Sequence, residues 1–186
     1  MKFDYIIIGA GSAGCVLSNR LSENQNNKVA VIEAGSPSDI WKVKMPLALL
    51  YTMHDPKYNW KYYSEPEPHL NNRKLFCPRG KMIGGCSAHN GMVFVRGNKN
   101  DYERWENFGL KSWSYQKILP YFKKIENWSG GENQYRGSFG PLPINQSKND
   151  NPLFKAFLNA ASEAGHKINP DMNGEYQEGF GMFDTT

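Results

Sequence analysis

Gly9, Gly11 and Gly14 are spaced as GxGxxG, and an acidic residue, Glu33, follows about 20 residues after them. These types at this spacing can hold a dinucleotide. Gly9 permits a tight turn, and Gly11 lets a pyrophosphate approach the backbone. Gly14 lets a helix pack closely on a strand. The first turn of that helix, from Ser12, offers free N–H groups and the positive end of its dipole to phosphate. Glu33 can accept hydrogen bonds from ribose hydroxyls and would repel a 2′-phosphate, which disfavours NADP. The motif alone does not separate FAD from NAD. The position of the unit at the start of the chain, and Ala34-Gly35 directly after the acid, lean towards FAD.

The elements that must position these residues are legible around them. Tyr5–Ile8 is a short apolar run with the pattern of a strand buried on both faces. Cys15, Val16, Leu17 and Leu21 mark the apolar side of a helix, and Val29–Ile32 reads as a second strand ending at Glu33. The result is a strand–turn–helix–strand unit.

A second segment, Pro78 to Gly97, reads PRGKMIGGCSAHNGMVFVRG. Arg79 and Lys81 flank Gly80, and Gly84-Gly85-Cys86-Ser87 is a small-residue turn able to pass close to a flat or anionic ligand. A solvated glycine-rich loop is an equal reading of these residues by physics alone. Met92–Val95 reads as a short strand or a helix start.

Elsewhere the pattern is mixed. Pro46–Leu50 reads as a short helix with Pro near its start. Glu65-Pro66-Glu67-Pro68 cannot be helix interior. Asp101–Phe108 is amphipathic and helical, and Tyr115–Trp128 has helical spacing with Pro120 marking a kink or break. Leu142-Pro143-Ile144 suits an edge strand. Leu153–Ala164 is a helix capped by Asn151 or Asp150 and closed by Gly165. The end at Thr186 shows no finished element.

The chain has 186 residues and a formal charge of +4. Its basic residues are scattered and do not alternate with aromatics, which argues against nucleic acid as a partner. Three cysteines without CxxC spacing argue against a disulfide framework or a metal site and favour a reducing compartment. No apolar stretch is long enough to span a bilayer.

Taken together, DYIIIGAGSAGCVLSNRL, Ile32-Glu33-Ala34-Gly35, Tyr58-Asn59-Trp60, SEPEPHLNNR, PRGKMIGG, NGMVFVRG, Trp113-Ser114-Tyr115, NPLFKAF and QEGFG resemble the glucose–methanol–choline (GMC) oxidoreductases, FAD enzymes that oxidise alcohols. The branch containing choline dehydrogenase and related alcohol dehydrogenases is the nearest in pattern. The resemblance implies an α/β fold. A Rossmann-like FAD-binding domain would cover residues 1–140, with a flavin-attachment loop at about 75–97, and an α+β substrate-binding domain would begin at 141–186. It implies that Gly9, Gly11, Ser12 and Gly14 hold the FAD diphosphate, and that Glu33 and Ala34 lie at the adenosine ribose. Arg79, Gly80, Gly84, Gly85 and Ser87 would lie along the cofactor, with Asn90 and Gly91 approaching the isoalloxazine ring. Cys86 and His89 depart from the commonest pattern. GGCSAHN resembles the choline oxidase branch, in which a histidine is bonded to the flavin 8α-carbon. His89 would therefore carry a covalent link, or merely hydrogen-bond or pack beside the ring.

The family's active-site base lies in a C-terminal part that no segment here resembles. The expectation is an incomplete chain with no catalytic base of its own and apolar faces left uncovered. The implied reaction is oxidation of a primary alcohol to an aldehyde, with choline as leading substrate and oxygen or a quinone as electron acceptor. The alternatives are an aliphatic or polymeric alcohol, and a nucleotide-binding module without catalysis. A cytoplasmic location follows, peripheral at the inner face of the membrane if the acceptor is a quinone.

Overall fold

Tyr5–Ile8 (β1) and Val29–Ile32 (β2) pair in parallel, with Tyr5 opposite Val29 and Ile8 opposite Ile32. A parallel pair needs a crossover, and Ser12–Ser22 (α1) supplies it and packs on both strands. These relations come from a computed structural model that describes residues 1–148 and 150–186. Two compact units result, Met1–Met92 and Val93–Thr186.

The expected burial of β1 on both faces does not hold. Ile7 is buried, but Ile8 is 78% and Ile32 55% exposed, and Ile6 and Val31 are open as well. The reason is that this sheet contains two strands. Neither strand has a second neighbour, so its apolar side chains lack the cover that a wider sheet provides.

The rest of the first unit is short-element structure. Trp41–Lys44 (α2) leads through a 3₁₀ turn at Pro46–Ala48 into Leu49–His54 (α3). Tyr62–Tyr63 (β3) pairs antiparallel with Phe76–Cys77 (β4). Pro68 begins a single 3₁₀ turn, a position where its missing N–H costs nothing. Ile7, Ala10, Ala48, Tyr58 and Met82 are its buried apolar side chains.

In the second unit, Val93–Phe94 (β5) is a strand, and its antiparallel partner is Asp184–Thr185 (β8). The last residues thus complete a ladder that the sequence pattern did not disclose. Lys99–Asn107 (α4) starts two residues earlier than its apolar spacing suggests, because Asn98 caps it by accepting from the Asn100 N–H at 2.9 Å. Tyr115–Ile125 (α5) runs through Pro120 unbroken. It stops at Ile125, short of the expected Trp128, and Glu126–Trp128 (β6) instead pairs in parallel with Leu142–Ile144 (β7). The change of state follows the carboxylate of Glu126, which is fully buried among arginines. Pro143 is tolerated because this sheet too has two strands, each an edge. Pro152–Glu163 (α6) is capped by Asn151, which accepts from Leu153 N–H at 2.9 Å, and Gly165 closes it with φ +83°. The compact division falls at residue 92, while β6 and β7 pair across residue 140.

Candidate cofactor site

The first unit gathers its two glycine segments at one place. Gly9 leaves β1 with φ +92°, and its N–H donates to Ile32 O at 2.7 Å. Gly14 is buried in the first turn of α1, where an added Cβ would lie 1.9 Å from the Gly9 carbonyl oxygen. No side chain caps α1 at Gly11, so its first N–H groups remain available to an anion.

The second segment closes against this loop. Gly84 N–H donates to Ala10 O at 2.7 Å, and a Cβ on Gly85 would meet Gly11 Cα at 2.9 Å. Residues Gly85–Ala88 form a 3₁₀ turn, tied by the Ser87 hydroxyl donating to Gly84 O at 2.6 Å. Gly80 also faces the turn, where a Cβ would meet the Gly85 carbonyl oxygen at 2.2 Å. The solvated-loop reading therefore fails at Gly84 and Gly85, which are packed backbone to backbone on the first motif, and at Gly80, which is packed on Gly85.

Glu33 binds the loop itself. One carboxylate oxygen accepts from Ala10 N–H at 2.7 Å and the other from Gly35 N–H at 2.8 Å. A carboxylate offers about four lone-pair sites, so two further hydrogen bonds remain open to it. Ala34 lies exposed beside it.

His89 follows the turn and is buried, with 8% of its surface exposed. Its Nδ1 has no hydrogen-bond partner, and burial lowers its pKa below the ordinary histidine value. The imidazole is therefore neutral at pH 7, with a polar atom left unsatisfied, which a native interior rarely tolerates without a functional reason. It borders a cavity of about 570 Å³ with Met53, Arg79, Cys86, Asn90 and Gly91. The Asn90 side chain accepts from Met92 N–H at 2.8 Å, and a Cβ on Gly91 would meet nothing within 4 Å. The Arg79 guanidinium is turned back to Pro78 O at 2.7 Å.

One positioning residue had no role in the sequence reading. Asn59 is buried, and its Oδ1 accepts from both Arg79 N–H at 2.9 Å and Lys61 N–H at 2.8 Å. Its amide also donates to Met53 O. It therefore ties the start of the second glycine segment to α3. The only signal was its place between two aromatics in Tyr58-Asn59-Trp60, which says nothing about a partner 20 residues away.

A parallel βαβ unit, a glycine turn at an uncapped helix start and an acid at the end of the second strand define a dinucleotide-binding module. Comparison with known proteins narrows this. The sequence pattern of the GMC oxidoreductases matches residues 3–186, and the chain belongs to that family. It is 51% identical over its whole length to an oxygen-dependent choline dehydrogenase of Sinorhizobium fredii, covering 34% of that protein. It is 46% identical to the mitochondrial choline dehydrogenase of Mus musculus, covering 32% of it. The chain thus spans about a third of the length of these curated relatives. Among solved structures, the pyridoxine 4-oxidase from Mesorbium loti matches with a TM-score of 0.89 and 31% identity, over 99% of this chain and 36% of that one. A formate oxidase of Aspergillus oryzae, studied for FAD modification, matches with a TM-score of 0.84 and 27% identity, over 98% and 34%. Among the described residues no helix is long and apolar enough to cross a membrane.

Proposed function

We propose that the chain is the FAD-binding part of an oxidoreductase that converts a primary alcohol to an aldehyde, with choline and betaine aldehyde as substrate and product. The observation that carries the reading is the closure of the 84–91 segment onto the GxGxxG loop, beside a buried imidazole with an unpartnered nitrogen. The fit to FAD is good on this chain's own features. The glycine loop is open at Gly9 and Gly11, where nothing lies nearer than 4.0 Å to an added Cβ, so a diphosphate can approach the backbone, and the cavity at His89 offers room and a polar atom to a ring system.

In this reading Gly9, Gly11, Ser12 and Gly14 hold the diphosphate through backbone N–H groups. Glu33 uses its remaining lone pairs on the ribose, with Ala34 beside it. Arg79, Gly80, Gly84, Gly85 and Ser87 shape the wall along the cofactor, and Asn90 and Gly91 bring backbone to the ring. The bound FAD supplies a two-electron acceptor for the alcohol's hydride. His89, neutral and nucleophilic at Nδ1 or Nε2, is the attachment point for a covalent link. The hydroxyl proton needs a base, which in this reading lies outside the described residues. The choice of substrate rests on the relatives named choline dehydrogenase. Oxygen or a quinone takes the electrons, at a cytoplasmic site that is peripheral to the membrane if a quinone is used.

The test is a titration of the chain with FAD and with NADH, followed by quenching of cofactor fluorescence. Quenching of FAD alone is expected, and uptake of NADH alone would overturn the flavin reading. Choline-dependent bleaching of the flavin in the protein isolated from its own host tests the substrate. Bound FAD that no alcohol reduces would leave a binding module in place of the enzyme.

A further inference from the structure

Met92 takes a backbone conformation that methionine rarely adopts, with φ +58°. Outside glycine, the other described residues of this kind are Lys61, Asn71 and Asn72, and asparagine tolerates the left-handed region. A glycine stands next to Met92 and does not take the turn. Gly91 lies outside the left-handed region, and a Cβ on it would meet nothing within 4 Å. Glycine at position 92 would relax the backbone, so the side chain there must offset a cost of its own. Lys61 and Met92 are held alike. In each case an asparagine two residues earlier accepts the N–H through its side chain, Asn59 for Lys61 and Asn90 for Met92, both at 2.8 Å. Both turns adjoin the second glycine segment, since Asn59 also accepts from Arg79 N–H at 2.9 Å and Asn90 directly follows His89.

The place of the Met92 side chain shows what the turn achieves. Met92 is half-buried and lines a small cavity of about 120 Å³ with His89, Met45, Pro46 and Leu49. His89 also borders the cavity of about 570 Å³, and Met92 does not. The imidazole thus stands between the larger space and a small one walled by Met92. Its Nδ1 has no hydrogen-bond partner, so nothing polar holds that edge of the ring and packing must set its orientation.

We propose that Met92 is a positioning residue, which accepts a left-handed backbone so that its thioether backs the His89 ring and holds it towards the cavity that the flavin reading fills. A thioether suits this place, being apolar, polarizable and favourable against the edge of a ring. The backbone cost is of the kind that persists at functional sites, where the surrounding structure fixes the residue. The inference rests on the flavin reading for the identity of the ligand, and on the turn and the two cavities for the role of Met92.

The test compares Met92→Leu, Met92→Ala and Met92→Gly in the 186-residue chain. In thermal melts Met92→Gly should exceed Met92→Ala, because glycine enters the left-handed region freely. The reverse order would show an unstrained turn and overturn the proposal. In NMR titrations of the imidazole without cofactor, the His89 pKa should rise towards the ordinary histidine value in Met92→Gly, as water reaches a ring that is no longer backed. Met92→Leu, which keeps an apolar side chain of similar size, should hold the parent value. In fluorescence titrations FAD affinity should fall about threefold in Met92→Gly, the loss expected when a fixed side chain spreads over three staggered rotamers, and Met92→Leu should bind as the parent does. An imidazole titration unmoved by Met92→Gly, or moved equally by Met92→Leu, would overturn the proposal. A parent chain that takes up no FAD would overturn the cofactor reading, and the imidazole titration would still decide the role of Met92.

Discussion

The two units are built on different physics. The first is organised by what its backbone can do. Gly9 turns with a positive φ, Gly14 and Gly80 leave room for carbonyl oxygens, and Gly11 and Gly85 meet with no side chains between them. Its interior is small, and much of β1 and β2 is open. The second is organised by charge. Arg136 is fully buried and donates to Glu126 at 3.0 Å, Asp171 at 2.6 Å and Asp184 at 2.8 Å, with its guanidinium 4.2 Å from the Trp128 ring centroid. Arg96 shares Glu126 and also donates to Tyr135 O at 2.6 Å. Burial would lower the Arg136 pKa, but hydrogen bonds to Asp184 and Glu126 outweigh it and the net shift is upward. Backbone freedom prepares a surface for a ligand, whereas a buried ion network closes a unit on itself. The difference explains why the candidate cofactor site lies in the unit organised by its backbone.

The contrast can be broken most forcefully in the second unit. Arg136→Ala strands buried carboxylates and should cost about 3–5 kcal/mol, enough to unfold that unit. Urea denaturation followed by tryptophan fluorescence would show it, and a loss below about 1 kcal/mol would mean the network is solvated. In the first unit, Asn59→Ala orphans the N–H groups of Arg79 and Lys61 and should cost about 1–3 kcal/mol for each donor that water does not reach. Its thermal melt should fall while that of the second unit holds.

Gly14→Ala places a methyl group against the Gly9 carbonyl, a strain of about 1–3 kcal/mol. FAD affinity should fall roughly 5- to 150-fold by fluorescence titration, and unchanged affinity would remove Gly14 from the cradle. The smallest effect concerns acid. The folded His89 pKa lies below the unfolded value, so the unfolded chain takes up the proton first as pH falls. Stability is full above about pH 6.5 and declines from there down to the folded pKa. His89→Gln should flatten that decline in melts between pH 7.5 and 5, and an unchanged slope would point to another group.

The first unit was the more legible in sequence for a physical reason. Gly9, Gly11, Gly14 and Glu33 act through local spacing, so the βαβ unit is readable from one short stretch. The approach of Gly85 to Gly11 was not read from the sequence, where the resemblance placed each along the cofactor separately, because no local pattern encodes a contact across some 70 residues of chain. The same limit hid β8, whose partner β5 lies about 90 residues earlier, and the ion network, whose members sit in turns and short strands without periodicity. Helical spacing carried α5 past its true end, since Trp128 fits the apolar repeat while Glu126 answers to distant arginines. The double-sided burial of β1 was misread because apolar composition reports what a strand can bury and not which strands lie beside it.

The central claim is that the joined glycine segments and His89 form a flavin site. The most direct test is a visible absorbance spectrum of the protein purified from its own host, taken before and after acid denaturation and followed by peptide mass analysis. Flavin absorbance that travels with the folded protein, and an FAD mass retained on the peptide containing His89, are the predicted results. Flavin released by acid would withdraw the covalent link and leave the cradle intact, whereas a colourless protein that takes up no added FAD would contradict the account.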